Sequence, residues 1–251
     1  MRTTIVLPVS RADYLDRVFY ALEMLTCDAK RTGLLVLVDG DQELVTTAQT
    51  YVEQSKSAER RCVQRDDRSP VTHGIPERRQ RIANILNELK TMVTSEYVFG
   101  LEDDTIVPRM ALQRLYETYA LFPHAGFVSG VELGRWGIAH VGAWLADNVY
   151  ETISLKTPPM GEGIQPVDAA GFYCFLTKTQ HYRKHTFKPY EDALGPDVDF
   201  GLALRRNGYQ NYLNWSVACE HRRKDDYLKL GLTPLQEIEV KLEGGEWKVW
   251  I

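Results

Sequence analysis

No part of this 251-residue chain approaches the ~20 consecutive apolar residues that a bilayer-spanning helix needs. The opening segment, "MRTTIVLPVS", turns polar too soon for a secretory signal. Cysteine is scarce: Cys27, Cys62, Cys174 and Cys219 stand far apart without a C-x-x-C pair. That spacing excludes a disulfide framework or a cysteine zinc site, and fits reduced thiols in a cytoplasmic protein. The net charge is only −4, so the overall field advertises neither nucleic acid nor an anionic membrane as partner. There is no internal repeat, low-complexity tract or evident linker. Glycine is missing from "LPVSRADYLD", which argues against a Gly-rich phosphate loop after the first strand-like run.

An apolar content of 44% with 25% charged residues is ordinary for a soluble globular protein, and the length suffices for a substantial core. Two periods alternate through the first half. Thr3–Val9 is a β-branched run, and Leu15, Val18, Phe19, Leu22 and Leu25 then mark one face of a helix. Gly33–Asp41 reads as a second strand ending in acids, followed by a helix to about Val52; "RCVQR" is a weak third strand. A helix over Gln80–Val93, with Ile82, Ile85, Leu86 and Leu89 inward, leads to a fourth strand, "EYVFGLE", and a helix over Pro108–Leu121. Four strand–helix alternations predict a parallel α/β sheet. After Phe122 the pattern shifts to shorter strands, "GFVSGVEL", "HVGAWLAD", "YETISL" and "VDAAGFYCFLTK", with the Pro/Gly-rich "KTPPMGEGIQP" between them. The reading is one domain over residues 1–221, with a nucleotide-binding half to 122 and a mixed half from 123, and a tail over 222–251 whose Trp247 and Trp250 pack back on the body.

Ligands of open α/β sheets bind beyond the carboxyl ends of the strands. Two such ends carry acids: Asp39 and Asp41, and the run Glu102, Asp103, Asp104. An acidic triplet is most simply a solvated turn, yet it also supplies the one or two carboxylates with which a protein holds Mg²⁺ beside a diphosphate. In "GPDVDFGLALRRNGYQNYLNWSVACEH", Asp197 and Asp199 begin a helix with Phe200, Leu202 and Leu204 apolar, Gly208 closes it, and the next strand ends at His221. Each acid could serve as a cap, and the histidine alone reads as surface. "ERRCVQRDDRSPVTHGIPERRQR" is rich in arginine but tempered by acids. Its Arg81 could reach a diphosphate or the acids of the metal site.

Taken in order, these segments resemble the GT-A-fold nucleotide-sugar glycosyltransferases, most nearly the inverting family 2. The resemblance runs from about Thr3 to His221. It implies that Pro8 and Ser10 border the nucleoside, Asp39 contacts the base and Arg81 lies near the donor. Asp104 would ligate the metal, with Asp103 nearer the ribose, Glu102 as the first acid of an acid-x-acid pattern and His221 as a further metal or diphosphate contact. Gly171 and Phe172 would face donor sugar and acceptor. Asp197 would be the general base; the family's usual preceding Glu is here Pro196, which keeps Asp199 as a rival.

The implied reaction transfers a sugar from a UDP- or GDP-type donor to an acceptor hydroxyl, with inversion and with Mn²⁺ or Mg²⁺ as cofactor. The acceptor is open: a glycan, a small molecule, or a polyanion such as a hydroxylated DNA base, which the basic clusters at Arg60–Arg81, Arg183–Lys188 and Arg222–Lys224 permit. A sugar nucleotidyltransferase and a non-catalytic carbohydrate-binding relative are the alternatives.

Overall fold

In the computed structural model, which describes residues 2–65, 75–133, 141–150, 155–189, 195–221, 239–243 and 246–250, the apolar runs of the first half become parallel strands. The order is β1 (Thr3–Val9), α1 (Leu15–Met24), β2 (Thr32–Val38), α2 (Gln42–Gln54), β3 (Glu59–Gln64), α3 (Ile75–Met92), β4 (Tyr97–Leu101) and α4 (Ala111–Leu121). β1 lies between β2 and β4 and is parallel to both, and β3 adds beyond β2. The chain thus winds outward from β1 to β3 and returns to the other side of β1 as β4. That reversal opens a crevice at the carboxyl ends of β1 and β4, where the acidic run begins. Pro8 is tolerated inside β1 because the pairing to β4 ends at Val6.

The second half is mixed. β5 (Ala125–Leu133), β6 (Ala143–Ala146), β7 (Leu155–Lys156), β8 (Ile164–Val167), β9 (Ala169–Ala170) and β10 (Cys174–Lys178) precede α5 (Thr179–Lys184), α6 (Pro196–Arg206) and β11 (Gln210–Glu220). The large sheet runs β3-β2-β1-β4-β10-β5-β11-β8. β10 is antiparallel to β4 on one side and β5 on the other, so it joins the two halves in one sheet. A short sheet, β7-β6-β9, lies apart, and β12 (Glu239–Glu243) with β13 (Glu246–Trp250) forms a hairpin whose first strand runs beside α1.

Both faces of the large sheet are covered, which is why its strands read as continuous apolar runs. Ile5, Leu7 and Val9 meet α1, α2 and α4; Val6, Leu35 and Leu37 meet α3, α5 and α6. Helix α6 serves two cores rather than one face: Phe200 and Leu204 join the large sheet, while Val198 and Leu202 pack with Ala169 toward the small one.

Several expectations need correction. The expected strand over 167–178 divides: Val167 ends β8, Ala169–Ala170 pair with β6 of the small sheet, a pairing closed by the Gly171 N–H on the Gly142 carbonyl at 2.8 Å, and only Cys174–Lys178 enter the large sheet as β10. Ile82 sits at the flank of α3, 38% exposed, and Ala83 takes the inward place. α4 starts at Ala111, with Pro108 in the preceding turn. Most of "YETISL", the cluster Arg222–Lys224 and the side chains of Trp247 and Trp250 lie outside the described residues. Among the described residues no helix is long and apolar enough to cross a membrane.

Candidate active site

β4 is buried along its whole length and delivers Glu102, Asp103 and Asp104 directly beyond its last residue. A turn closed by Thr105 N–H to the Glu102 carbonyl, at 3.1 Å, redirects the chain. Ile106 then exchanges both backbone hydrogen bonds with Glu220, at 2.8 and 2.9 Å. This bridge fastens the acidic turn to the end of β11, and the next residue is His221.

The imidazole therefore arrives among the acids. His221 Nε2 lies 2.9 Å from Asp104 Oδ1 and 3.0 Å from Glu102 Oε2. One ligand atom from each of these three residues falls within 4.8 Å of the others. Nδ1 faces the other way, 3.4 Å from Oε2 of Glu132, a carboxylate buried at the end of β5. Burial alone would lower the pKa of His221, but its contacts with Asp104, Glu102 and Glu132 prevail and push it up to about 11. A divalent cation would replace that proton. Two carboxylates and an imidazole backed by a third carboxylate are a donor set that suits one.

Asp103 is engaged elsewhere. Its Oδ2 accepts from Ser10 N at 2.7 Å and Ser10 Oγ at 3.1 Å, and its Oδ1 accepts from Arg11 Nε at 3.0 Å and Nη2 at 2.8 Å. It ties the turn after β1 to the turn after β4. Arg11 Nη2 also lies 2.8 Å from Asp104 Oδ2.

The two acids after β2 part company. Asp41 caps α2, accepting from Leu44 N at 2.9 Å. Asp39 is buried; Arg81 Nε reaches its Oδ2 at 2.5 Å, Arg81 Nη2 reaches its carbonyl at 2.9 Å, and Arg65 stands 3.5 Å away. Its Oδ1 is buried and has no hydrogen-bond partner among the described residues. A buried, unsatisfied carboxylate oxygen costs free energy unless a donor arrives, and a nucleobase N–H is such a donor.

Across the crevice, Asp197 occupies the first turn of α6, after the N-cap Gly195 and Pro196 at the first helical position. Enclosure by protein raises its pKa to about 7, and the nearby Glu102 charge adds to the rise against the helix-end N–H groups, which lower it. Gly171 lies beside this carboxylate: a Cβ there would meet Asp197 Oδ2 at an ordinary contact distance of 3.6 Å, but would crowd the Tyr173 ring at 2.8 Å. Asp199 is placed differently. It is 3% exposed, and its Oδ2 lies 3.1 Å from His185 Nε2 in a pocket walled by Phe187 and Phe200. Phe172 also turns inward, stacking on Phe175 at 4.5 Å.

With this geometry in view, the comparisons can be given. No family model and no curated protein matches the sequence. Solved structures do match. The mannosyltransferase PcManGT from Pyrobaculum calidifontis, in complex with GDP-Man and Mn²⁺, has a TM-score of 0.65 at 16% identity, over 91% of this chain and 59% of that one. TarS of S. aureus has a TM-score of 0.58 at 11% identity, over 92% of this chain and 38% of that one. A197 from STIV has a TM-score of 0.50 at 13% identity, over 88% and 85%. The fold is GT-A-like. This chain spans little more than half of the mannosyltransferase and well under half of TarS.

On the GT-A-like sheet, Glu102, Asp104 and His221 come together, Asp103 and Ser10 pair, and Asp39 pairs with Arg81. Asp199 and Phe172 are directed into the interior. Two residues of the site were not foreseen: Arg11 and Glu132. The one available signal for Glu132 was an acid inside an apolar strand, "GFVSGVEL".

Proposed function

We propose that this chain is a metal-dependent glycosyltransferase that moves a sugar from a nucleoside-diphosphate donor to an acceptor hydroxyl with inversion. The observation that carries the reading is a two-carboxylate, one-imidazole cluster whose Glu102 lies near enough to Asp197 for its charge to be felt there. Glu102, Asp104 and His221 would hold the cation. The imidazole in that set favours Mn²⁺ over Mg²⁺, which prefers an all-oxygen shell. When bound, the cation neutralises charge that develops on the departing diphosphate.

The remaining work falls to the protein. Asp39, held by Arg81 and with one oxygen unsatisfied, accepts a hydrogen bond from the base. Ser10, anchored through Asp103, borders the nucleoside, with Pro8 behind it in β1. Gly171 lies next to Asp197, on the side where sugar and acceptor would sit. Asp197 takes the proton from the attacking hydroxyl; a carboxylate titrating near 7 is a stronger base than an ordinary one and is about half ionised at neutral pH. Asp199 supports α6 from within. Attack from the face opposite the diphosphate inverts the anomeric centre. A cytoplasmic setting and a polyanionic acceptor such as modified DNA fit the reduced cysteines and the basic segments.

The test is direct. The full chain is incubated with UDP- and GDP-sugars, with Mn²⁺ or with chelator, and free nucleoside diphosphate is measured alongside thermal stabilisation. Metal-dependent binding together with slow donor hydrolysis is expected. Absence of both across the panel defeats the reading.

A further inference from the structure

Asp103 and Asp104 are adjacent, buried and close to Glu102, so the turn needs positive charge before any divalent ion arrives. His221 meets Asp104 Oδ1 and Glu102 Oε2 on one side, and Arg11 supplies the charge on the other with one side chain. Nε and Nη2 both hold Asp103 Oδ1, and Nη2 also lies 2.8 Å from Asp104 Oδ2. The two grips differ in kind. Asp103 is further secured by Ser10 N and Oγ and has no place in the ligand cluster. Asp104 is a member of that cluster, and its Oδ1 faces His221. One carboxylate is therefore an anchor for the guanidinium, and the other is a ligand that the guanidinium shares with the cation.

We propose that Arg11 is an exchangeable counter-cation. It neutralises Asp104 in the metal-free protein, yields it to the divalent ion, and turns on its Asp103 anchor to grip the donor's diphosphate. This deepens the transferase reading and rests on it. A guanidinium and a divalent cation on one carboxylate repel each other, so each weakens the hold of the other. Arg11 is only 23% exposed and pivots on Asp103, so it can change partner without leaving the site. Its planar fork matches two phosphoryl oxygens as well as it matches a carboxylate.

The exchange predicts effects of opposite sign. In Arg11→Gln, Mn²⁺ alone, titrated calorimetrically into the full chain, should bind about tenfold more tightly because its rival is gone. GDP or UDP at saturating Mn²⁺ should bind about tenfold more weakly because the fork is lost. Arg11→Lys keeps the charge without the fork; it should leave Mn²⁺ affinity near the wild-type value and still weaken the nucleotide. A merely structural strut would lower the thermal midpoint and weaken both ligands together, or leave Mn²⁺ unchanged; either result overturns the exchange. Wild-type protein that binds Mn²⁺ and nucleotide while Arg11→Gln alters neither defeats this inference alone. A wild type that binds neither defeats the parent reading and this inference with it.

Discussion

His221 Nδ1 lies 3.4 Å from the Glu132 carboxylate, on the side of the imidazole away from Asp104. An acid at that position fixes the ring and leaves Nε2 to face a cation. Glu132→Gln should therefore keep the fold and weaken Mn²⁺ binding by about 10–100-fold, measured by titration calorimetry. Unchanged affinity would show the contact to be incidental.

Metal binding should release a proton. His221 is held protonated up to about 11 in the metal-free protein, and the cation takes its Nε2. Apparent Mn²⁺ affinity should rise with pH throughout the range below about 11, and calorimetry in buffers of different ionisation heat should report close to one proton released. The sign for the metal-free protein follows from the raised value. The stability contributed by the charged ring is fully present below about 6.5 and is lost as pH rises toward about 11. His221→Ala should abolish that decline.

The pH dependence of turnover should belong to Asp197. With a pKa near 7, the base is protonated in acid, so the rate should climb through neutrality and then level off. A rate already flat from pH 5 would remove Asp197 from the role.

Asp197→Asn should lower transfer by about 10²–10⁴-fold while donor binding persists. It should also stabilise the protein. A carboxyl whose pKa is raised on folding costs stability as pH rises from its ordinary value through about 7, and Asn carries no such charge. The gain at pH 8 is a few kcal/mol at most, since a rise from 3.8 to about 7 is worth about 4 kcal/mol before the side chain's remaining solvent contact is discounted. At pH 3 the two proteins should melt alike.

Gly100 separates the strand core from the acids. A Cβ there would stand 2.0 Å from the Phe175 ring, which stacks on Phe172. Gly100→Ala should cost about 1–3 kcal/mol in urea or thermal unfolding.

The parallel half of the fold was legible because β1, β2 and β4 are buried on both faces and the helices show a 3.6-residue stripe, as Thr3–Val9 and Leu15–Leu22 illustrate, whereas the exposed edge strand β3 left only a weak signal. The place of β10 was not. Five residues, Cys174–Lys178, carry no mark of insertion between β4 and β5; that pairing is decided by neighbours distant in sequence. The acids and the histidine could be seen as a pattern in order, but their meeting depends on the Ile106–Glu220 bridge, which no local signal announces. Asp197 and Asp199 could not be ranked from spacing alone. Two positions apart on a helix, they diverge by about 200°, and only packing shows which one turns toward His185.

Asp104 and His221 are 117 positions apart in the chain. During synthesis the acids emerge long before the imidazole that completes their set, and the ribosome adds only about 5–20 residues each second. A nascent polypeptide thus spends seconds with its nucleotide crevice under construction and no finished seat for the cation. Competence is withheld until β11 has been translated and docked.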